Sequence, residues 1–445
     1  MQDFKRTLTH GAPHVVVVGG GYVGLPFAVT AARAHCNVTV YDNNTMKVEA
    51  INAGKSYIGD VKDSEVAELV DATVLSAVDD PAEAFPADAV VICVPTPLQS
   101  GGDPDISFVV SAVEGIAPHL GGGPVLVSLE STVYPGCTRE VVAEALWRVG
   151  RQKENTFVSF SPERVDPGNG KWTTKNTPKV VGGLNAESLE VALAFYRRII
   201  DKVVPVSSTD AAEMVKLLEN TFRWINIGLV NELAIQCHQL GVNVWEIVEA
   251  ARTKPFGFMS FTPGPGCGGH CISCDPDYLA WRLRTSHHEA RFIDLAGKVN
   301  RAMPAYVVQR LADELNALRR PVCGQRVLVM GVAYKPDVDD TRESPALDII
   351  RELGRRGAIV SYVDPHVVNL FHEGFQLESV DIPRDDTGAV PEYDYSQFDA
   401  VIIVTNHSAF DYLDLMQTCP LVLDARGVSH DLKLSAGPKC RLVRL

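Results

Sequence analysis

Short apolar runs alternate with helical stretches over the first 200 residues of the chain. A β-branched run at 14–18 ends in glycines, a helical stretch follows at 21–34, and a second apolar run lies at 37–41. Further apolar runs of strand length lie at 89–94, 124–129, 156–159 and 202–206. Because strands separated by helices pair in parallel, this pattern predicts a parallel sheet with helices on both faces.

The pattern changes in the middle of the chain. The segment 210–240 has no proline and a single glycine, which predicts one long, mostly buried helix capped by the Ser-Ser-Thr run at 207–209. Its apolar positions include Met214, Leu217, Leu218, Ile225, Leu229 and Leu233. A loop rich in glycine and proline is predicted at 254–277, and a second helical stretch at 278–317.

The alternation of strands and helices returns in the last third of the chain. A helix is predicted at 345–356, among strands at 326–330, 359–363, 400–404 and 421–424. The fold class is therefore α/β, with one α/β half on each side of a helical segment. We expect three domains, at 1–206, 207–318 and 319–445.

Charge and composition exclude several classes of protein. The 445 residues carry a net charge of −14, from 41 Lys and Arg against 55 Asp and Glu, which argues against non-specific binding to nucleic acid or to anionic membranes. No apolar run approaches the roughly 18 residues that a membrane-spanning helix needs. The N-terminal segment has no apolar signal core, so we expect a cytoplasmic protein whose ten cysteines are free thiols with at most one functional cluster.

A glycine motif follows the first apolar run. Gly19, Gly21 and Gly24 fit G-x-G-x-x-G between a predicted strand and a predicted helix. These glycines allow a tight turn, a close approach of the backbone to a pyrophosphate, and close packing of the helix on the sheet. Asp42 ends the next strand, where a carboxylate accepts hydrogen bonds from ribose hydroxyls and repels a 2′-phosphate. The motif favours NAD over NADP, and the alternative is a plain glycine turn in an unrelated α/β protein.

The second α/β half has a weaker glycine signal. Gly331 follows the predicted strand 326–330 without a G-x-G-x-x-G motif, so a second dinucleotide site is not expected. Lys335 and Arg342 lie just beyond the carboxyl end of this strand, where ligands bind in open parallel sheets. These cations indicate a mononucleotide site, or else solvated charges on a surface loop.

The glycine- and proline-rich loop holds three cysteines, Cys267, Cys271 and Cys274. A cysteine among glycines is accessible and open to activation by backbone amides, which favours Cys271 as a nucleophile. The spacing C-x3-C-x2-C also occurs in radical iron–sulfur enzymes, and a zinc site or three incidental thiols are further alternatives. The position of this loop in mid-chain, after a dinucleotide-binding fold, favours the nucleophile, and no metal is expected.

Polar residues on the long helix and at strand ends complete the candidate chemistry. Lys216 and Asn220 are spaced i, i+4 and share one helix face, where burial would be costly unless they stabilise an oxyanion; a solvated surface stripe is the alternative. Glu163, at a strand end, has the chemistry of a general base for water. The strand-end segments expected to line the cofactor cleft, if they are more than structural turns, are 95–97, 130–132 and 161–164.

Together these residues resemble the UDP-glucose/GDP-mannose dehydrogenase family. The resemblance runs in order through VGGGYVGLP, CVPTP, LESTVYPGCT, SPERVDPGN, EMVKLLENTFRWINIGLVNE, PGPGCGGHCISCDPDYL, GVAYKPDVDDTRESPALDI and VTNHSAFDY, which span almost the whole chain. The segments LESTVYPG, SPERVDPGN, TTKNTPKVVGG, TKPFGFM and GPGCGGHC look like the branch that acts on UDP-N-acetylglucosamine. The branches that act on UDP-N-acetylmannosamine and on UDP-glucose look less similar and stand as alternatives.

The resemblance implies two doubly wound, Rossmann-like domains joined by a long central helix that forms a homodimer. It also implies a four-electron oxidation at C6 of a UDP-hexose, with two NAD+ used in succession. Cys271 would attack the C6 aldehyde to give a thiohemiacetal, and oxidation would give a thioester that water cleaves. Lys216 and Asn220 would stabilise the developing oxyanion, and Lys216 would assist the first alcohol oxidation.

The remaining site residues also follow from the resemblance. Asp275 would orient water or Lys216, and Glu163 and Thr132 would place or deprotonate the hydrolytic water. NAD would be bound by Gly19, Gly21, Tyr22, Val23, Gly24, Asp42, Asn43, Pro95, Thr96, Ser131, Thr132 and Arg342. The UDP-sugar would contact Glu163, Arg164, Lys216, Asn220, Phe261, Gly268 and Lys335.

The chain departs from the family pattern near the nucleophile. Ser273 and Cys274 stand where the family has Pro and then Val or Lys. Cys267 stands at a usually apolar position, and Val165 stands where this branch has Glu. No arginine lies in 254–261, where several relatives have one that reaches the neighbouring subunit. These changes bear on substrate identity, and an extra thiol beside the nucleophile predicts sensitivity to oxidation through a disulfide.

Other functions stay open at this point. A two-electron NAD-dependent alcohol or β-hydroxyacid dehydrogenase has no need of Cys271 together with Lys216 and Asn220. A catalytically silent NAD- and UDP-binding protein would be expected to have lost Cys271 or Lys216. An iron–sulfur protein would be brown and would contain iron. The acid product would serve a capsule or other polysaccharide, a cell-wall polymer or a secondary metabolite.

Overall fold

The computed structural model describes the chain apart from residues 100, 167–168, 170, 373, 381–392 and 433–439, and apart from the side chains of His270, Cys271, Ser273 and Asp431. The chain forms two compact units. Unit 1 comprises Met1–Glu219 and Asp277–His288, and unit 2 comprises Asn220–Pro276 and Glu289–Leu445. Each unit contains one sheet of five or more strands, so the predicted α/β class is confirmed.

The strands are β1 (His14–Val18), β2 (Asn37–Tyr41), β3 (Leu75–Val78), β4 (Ala89–Ile92), β5 (Val125–Leu129), β6 (Thr156–Phe160), β7 (Lys179–Gly183), β8 (Val203–Val206), β9 (Arg326–Met330), β10 (Ile359–Val363), β11 (Asn369–His372), β12 (Phe375–Glu378), β13 (Ala400–Ile403), β14 (Leu421–Asp424) and β15 (Arg441–Arg444). The α-helices are α1 (Gln2–His10), α2 (Gly24–Arg33), α3 (Thr45–Asn52), α4 (Asp63–Asp71), α5 (Pro81–Ala84), α6 (Ser107–Ile116), α7 (Glu144–Arg148), α8 (Ala186–Ile199), α9 (Thr209–Leu240), α10 (Val244–Arg252), α11 (His270–Thr285), α12 (Arg291–Ala317), α13 (Pro345–Arg355), α14 (Tyr412–Thr418) and α15 (Val428–Asp431). Short 3-10 turns lie at Ala117–His119, Lys153–Asn155 and Tyr395–Gln397, and a π-helical stretch at Thr138–Ala143.

The sheet of unit 1 has the order β3-β2-β1-β4-β5-β6-β7-β8. Every neighbouring pair is parallel except β6 and β7. The strands β4, β5 and β6 are buried at every residue, as strands covered by helices on both faces must be. The order reverses between β1 and β4, and ligands of open α/β sheets bind at the carboxyl ends of strands beside such a reversal.

The sheet of unit 2 has the order β10-β9-β13-β14-β15, and all its pairs are parallel. This is the order of a five-stranded doubly wound domain, with the reversal between β9 and β13. The antiparallel hairpin β11–β12 belongs to the same unit. Apolar residues on both faces of this sheet, including Val327 and Leu328, are fully buried, so the unit has its own core.

The long helix α9 has 32 residues, as the sequence predicts. Ser208 Oγ accepts a hydrogen bond from the Ala211 amide at 3.1 Å, which confirms the predicted cap. The prediction that its apolar residues are mostly buried is wrong, because Met214, Leu218 and Leu229 are exposed by 39%, 60% and 61%. Apolar spacing predicts a helix face that is stable when buried. It does not predict whether that face is buried by the same chain or by another one.

The prediction of a loop at 254–277 is wrong for its last eight residues, 270–277. Helix α11 begins at His270, so the backbone of Cys271 lies in the first turn of a helix. Pro276 lies inside this helix. Because proline lacks an amide hydrogen and usually ends a helix, the glycine run and Pro276 together favoured a loop at the sequence level.

Candidate active site

The glycine turn after β1 has the geometry of a pyrophosphate site. Gly19 has a φ of +97°, and a Cβ on Gly24 would lie 1.8 Å from the Gly19 carbonyl oxygen, so strand and helix pack too closely for any other residue. A Cβ on Gly21 would meet nothing within 4 Å, which leaves the backbone open to a ligand. These features fit a bound dinucleotide: the open backbone faces the pyrophosphate and the close packing brings the start of α2 near it.

Asp42, directly after β2, organises this turn. Its carboxylate accepts hydrogen bonds from the Gly20 amide at 2.8 Å and from the Asn44 amide at 2.9 Å. Lys47 Nζ lies 3.0 Å from the same carboxylate. The carboxylate at this position is the acceptor that NAD ribose hydroxyls require, so Asp42 fits NAD.

Tyr57 completes the turn and was missed by the sequence reasoning. Its hydroxyl donates to the Gly20 carbonyl oxygen at 2.5 Å, and burial, followed by the charge of Asp42, raises the pKa of Tyr57. Tyr57 lies in a segment without regular structure, so neither a motif nor a strand end signals its role.

The other predicted NAD-binding residues of unit 1 lie in or beside the segments that follow its parallel strands. Thr96 and Ser131 are buried, and Ser131 Oγ donates to the Val94 carbonyl oxygen at 2.7 Å. Tyr22 is 44% exposed beside the glycine turn. Arg342 belongs to unit 2, where it pairs with Asp340 at 2.6 Å. The structure therefore groups the predicted NAD residues in unit 1, with the exception of Arg342.

Three charged side chains meet inside unit 1. Lys179, at the start of β7, lies 2.9 Å from Glu130 and 3.4 Å from Glu163. Lys179 and Glu130 are 4% and 1% exposed. Tyr196 donates a further hydrogen bond to Glu130 at 2.7 Å. The sequence reasoning singled out Glu163 and missed its partner Lys179; the only signal was one lysine before a glycine-containing apolar run.

Lys216 on α9 is buried and its ammonium donates to the Glu163 carbonyl oxygen at 2.7 Å. The neighbouring Arg164 makes a bidentate ion pair with Glu219, at 2.6 and 3.2 Å. Unit 1 thus brings together three of the predicted substrate and catalytic residues, Glu163, Arg164 and Lys216. The prediction that Lys216 is a buried cation is confirmed.

Unit 2 holds a second group of predicted residues. Asn220 is 1% exposed, its side-chain amide donates to Asp275, and its side-chain oxygen accepts from Arg223. Asp275 is 2% exposed and lies on α11, one helical turn after Cys271. This contact brings together two of the predicted catalytic residues, although Asp275 was predicted to orient water or Lys216, and it adds Arg223, which the sequence reasoning did not consider.

The glycine-rich segment before α11 packs closely within unit 2. A Cβ on Gly268 would lie 2.8 Å from the Tyr334 side chain, and the Gly269 amide donates to the Arg342 carbonyl oxygen at 3.1 Å. Burial raises the pKa of Cys267 to about 12, so this thiol is not activated. Cys274 is 6% exposed, and Cys271 is the remaining candidate nucleophile, although its side chain lies outside the described residues.

Arg426 is a further candidate that the sequence reasoning missed. Its Nε donates to the Val404 carbonyl oxygen at 2.6 Å, and a Cβ on Gly264 would lie 2.9 Å from its Nη1. Burial lowers the pKa of Arg426 to about 10, which leaves it charged near neutral pH. It follows β14 at the carboxyl edge of the sheet, and this position is the signal that could have found it.

The remaining predicted substrate residues lie in unit 2. Lys335 is half-buried in the segment that follows β9. Phe261 packs edge-on against Phe222, with ring centroids 5.8 Å apart. Thr132, predicted to act on water, is half-buried in unit 1 after β5.

One cluster of the described part of unit 2, Asp337, His366 and His407, has ligand atoms within 4.8 Å of one another. His407 Nδ1 accepts from the Asp337 amide at 3.0 Å, and His407 Nε2 lies 3.0 Å from Asp364. Since both ring nitrogens are engaged within the protein, this geometry is that of a neutral histidine with its hydrogen on Nε2 and does not fit a metal ligand.

The fold and the site together define a class of protein. Unit 1 is a dinucleotide-binding domain by its strand order, its glycine turn and Asp42. Unit 2 adds a second sheet, also of a type that binds nucleotides. Buried Lys216 and Asn220 supply polar chemistry that neither core requires. The class is that of NAD-dependent dehydrogenases.

Family comparisons narrow this class. The UDP-glucose/GDP-mannose dehydrogenase family matches through its NAD binding domain over residues 13–200, its central domain over 210–302 and its UDP binding domain over 328–431. The chain belongs to the UDP-glucose/GDP-mannose dehydrogenase family. It is an NAD-dependent UDP-sugar dehydrogenase, and its cofactor is NAD.

Named relatives span more than one sugar. The UDP-N-acetyl-D-mannosamine dehydrogenase of Methanococcus maripaludis is 34% identical over 445 residues, with 96% of each chain covered. The UDP-N-acetyl-D-glucosamine 6-dehydrogenase of Pseudomonas aeruginosa is 34% identical over 401 residues, with 89% of this chain and 91% of that one covered. The structure of UDP-D-ManNAc dehydrogenase from Pyrococcus horikoshii gives a TM-score of 0.84 at 29% identity, with 97% and 98% covered.

Within the described ranges, every helix is either too short or too polar to cross a bilayer.

Proposed function

We propose that this chain oxidises the C6 hydroxyl of a UDP-N-acetylhexosamine to the acid in two successive two-electron steps. The observation that carries the proposal is the near full-length similarity to relatives named for 2-acetamido sugars, combined with a buried Lys216 and a cysteine, Cys271, in the matching segment. The sequence motifs favour the N-acetylglucosamine epimer, whereas several relatives are named for N-acetylmannosamine. UDP-glucose and a single two-electron oxidation are the alternatives.

Cys271 is the proposed nucleophile. Its thiol adds to the C6 aldehyde and forms a C–S bond, which gives a thiohemiacetal. Loss of a hydride from C6 and of the hydroxyl proton, two electrons and two protons in all, then gives a thioester, and water cleaves the C–S bond to release the acid and the free thiol. Bound NAD+ accepts the two electrons of each oxidation, so one turnover yields two NADH.

The polar residues of both units have proposed roles in these steps. The Lys216 ammonium and the Asn220 side-chain amide stabilise the oxyanion that develops at C6. Asp275 accepts a hydrogen bond from Asn220 and orients it. Thr132 and Glu163 contribute to placing water. Arg426, in the region matched by the UDP binding domain, is suited to bind the diphosphate because a guanidinium binds phosphate oxygens in pairs.

The test is the number of NADH formed per UDP-sugar consumed, with UDP-N-acetylglucosamine, UDP-N-acetylmannosamine and UDP-glucose as substrates. Cys271→Ser is compared with Cys323→Ser, since Cys323 is an exposed cysteine of unit 2. We expect two NADH per sugar with one acetamido substrate, loss of acid formation in Cys271→Ser, and unchanged activity in Cys323→Ser. One NADH per sugar, or an active Cys271→Ser, contradicts the thioester route.

We also propose that the protein is a cytoplasmic homodimer formed through α9. Large apolar side chains on α9 and α12 are exposed in the single chain; they include Leu218, Phe222, Leu229, Phe292 and Leu295. Such residues would be covered by a second copy, because apolar surface removed from water stabilises association. Leu229→Arg should give a monomer in sedimentation experiments, whereas Leu413→Arg, on the exposed side of α14, should leave the dimer intact.

A further inference from the structure

The buried lysine of unit 1 is the starting point. Lys179 is 4% exposed and faces two carboxylates, Glu130 at 2.9 Å and Glu163 at 3.4 Å. A structural ion pair needs only one carboxylate to neutralise the lysine. The second carboxylate belongs to Glu163, whose main chain contacts Lys216. A single residue, Glu163, therefore links Lys179 to Lys216, which has a role in the proposed reaction.

The sheet itself brings Lys179 and Glu163 together. Strands β6 and β7 are antiparallel, with Ser159 paired to Gly183 and Phe160 paired to Gly182. Continuing this register beyond the paired residues sets Glu163 opposite Lys179. The contact between Lys179 and Glu163 therefore follows from the pairing of β6 with β7, the one antiparallel pair among the described strands of this sheet.

Charge and hydrogen bonding keep Glu163 ionised. Burial alone would raise the pKa of Glu163, but Lys179 and the amides of Val165 and Arg164 lower it. Both of those amides donate to Glu163 Oε1 at 2.6 Å, while Oε2 faces Lys179. A carboxylate held this way has described partners on both oxygens and a pKa unsuited to proton abstraction near neutral pH.

The main-chain oxygen of Glu163 is the atom that contacts a residue of the proposed reaction. It accepts a hydrogen bond from the Lys216 ammonium at 2.7 Å. Because the side chain of Glu163 accepts from the amides of Arg164 and Val165 and faces Lys179, the direction of this carbonyl group depends on those contacts. A chain of contacts thus runs from Glu130 through Lys179 and Glu163 to Lys216.

We propose that Lys179 is a positioning residue, which holds Glu163 so that its main-chain oxygen fixes the ammonium of Lys216. Glu163 acts through this carbonyl group and not as the general base for water. The proposal rests on the proposed function in one respect, namely that Lys216 takes part in the oxidation.

The first test is Lys179→Met, which keeps the length of the side chain and removes its charge. The matched control is Lys175→Met, at an exposed lysine of the same unit. We expect kcat to fall about 100-fold, because small displacements of a catalytic group have effects of this order. The KM for NAD should change by less than about twofold, since the glycine turn is untouched. An unchanged kcat overturns the proposal.

A second variant separates positioning from stability. Lys179→Met alone leaves two carboxylates facing each other in a buried place and is expected to destabilise unit 1. In Lys179→Met/Glu130→Gln that repulsion is relieved, so the melting temperature should return toward the wild-type value. If Lys179 only neutralises Glu130, kcat recovers as well, and the proposal is wrong. If Lys179 positions Glu163, stability recovers and kcat does not.

A crystal structure of the double variant gives a readout that does not depend on turnover. We expect the Lys216 Nζ to lie more than 3.5 Å from the Glu163 carbonyl oxygen, against 2.7 Å in the wild type. An unchanged distance overturns the proposal. If the wild-type enzyme oxidises none of the three UDP-sugars, the proposed function fails, and this distance still decides whether Lys179 positions Lys216.

Discussion

The two sheets use the same device at the same place, an aspartate at the end of the second strand bound to a glycine turn after the first. In unit 1, Asp42 follows β2 and accepts from the Gly20 amide at 2.8 Å. In unit 2, Asp364 follows β10 and accepts from the Val332 and Ala333 amides at 2.7 and 3.0 Å. Only the first of these turns carries the dinucleotide motif.

The difference lies in what else each carboxylate binds. Asp42 is itself only 7% exposed, but its partner Lys47 is one-third exposed. Asp364 is fully buried and accepts further hydrogen bonds from the His366 and Val367 amides and from His407. In unit 2 the long segment 331–344 also separates the strand from helix α13, so no helix begins at the glycine turn. We propose that the same acid serves a ligand in unit 1, whereas in unit 2 it ties the fold together.

The largest expected effect is on the free energy of unfolding, and it distinguishes the role of Asp364 from that of Asp42. Asp364→Asn and Asp42→Asn are the same isosteric change, but the first leaves five donors facing an amide and the second leaves three. We expect a loss of about 3 kcal/mol for Asp364→Asn and about 1 kcal/mol for Asp42→Asn, because more donors lose a charged acceptor at Asp364 and one donor to Asp42, Lys47, is one-third exposed. Urea unfolding followed by fluorescence measures both. Equal losses would mean that the number of donors bound by Asp364 is not what distinguishes the units.

The second prediction concerns acid. Burial acts to raise the pKa of Asp364, but the hydrogen bonds from His407 and from backbone amides outweigh it and lower the pKa from its usual 3.8. A carboxyl with a lowered folded-state pKa stabilises the fold above its unfolded pKa, and this contribution disappears as the pH falls through the folded value. Unfolding measured below pH 3.8 should therefore depend less steeply on pH in Asp364→Asn than in the wild type. Parallel curves would contradict this assignment.

Sequence patterns predicted the parts of both units that rest on local signals. The strand, glycine turn and Asp42 of unit 1 follow from residues close together in the chain, and so does the strand before Gly331. The role of Asp364 was not predicted, because its partner His407 is 43 residues away. The role of Lys179 was not predicted for the same reason, since it lies 49 residues from Glu130. Long-range pairings of polar groups carry no periodicity from which they could be read.

Two errors have different physical causes. Helix α11 was missed in part because Gly269 and Pro276 favour a loop locally, whereas the packing of unit 2 determines the outcome. The short strands β3 and β7 give weak signals, since β3 has four residues and β7 ends in two glycines. The candidate chemistry gives a stronger sequence signal than these elements, because Cys271, Lys216 and Asn220 stand in motifs with characteristic order.

The third prediction tests the ligand role of Asp42. Asp42→Ala should raise the KM for NAD about tenfold, because about 1.4 kcal/mol of ribose binding is lost. Lys47 would then be released from its ion pair and could bind a 2′-phosphate, so the ratio of NADP to NAD activity should rise. The control is Asp71→Ala, at an exposed aspartate that ends α4. An unchanged NADP to NAD ratio would show that Asp42 does not select the cofactor.

The smallest effect compares two hydroxyl groups that each donate to a carbonyl oxygen of a glycine turn. Tyr57 donates to Gly20 at 2.5 Å in unit 1, and Thr405 donates to Ala333 at 2.5 Å in unit 2. Tyr57 is 37% exposed, whereas Thr405 is fully buried. If the first turn serves the cofactor and the second serves the fold, removal of each hydroxyl should change a different quantity.

Tyr57→Phe should raise the KM for NAD about threefold and leave the unfolding midpoint nearly unchanged, because a partly exposed hydrogen bond contributes less than about 1 kcal/mol. Thr405→Val should lower the stability by about 1 kcal/mol and leave the KM for NAD unchanged, because the buried Ala333 carbonyl group loses its donor. Steady-state kinetics and urea unfolding on both variants measure the four quantities. A change in the KM for NAD in Thr405→Val would mean that the turn of unit 2 is coupled to the cofactor, and that the division between the two aspartates is incomplete.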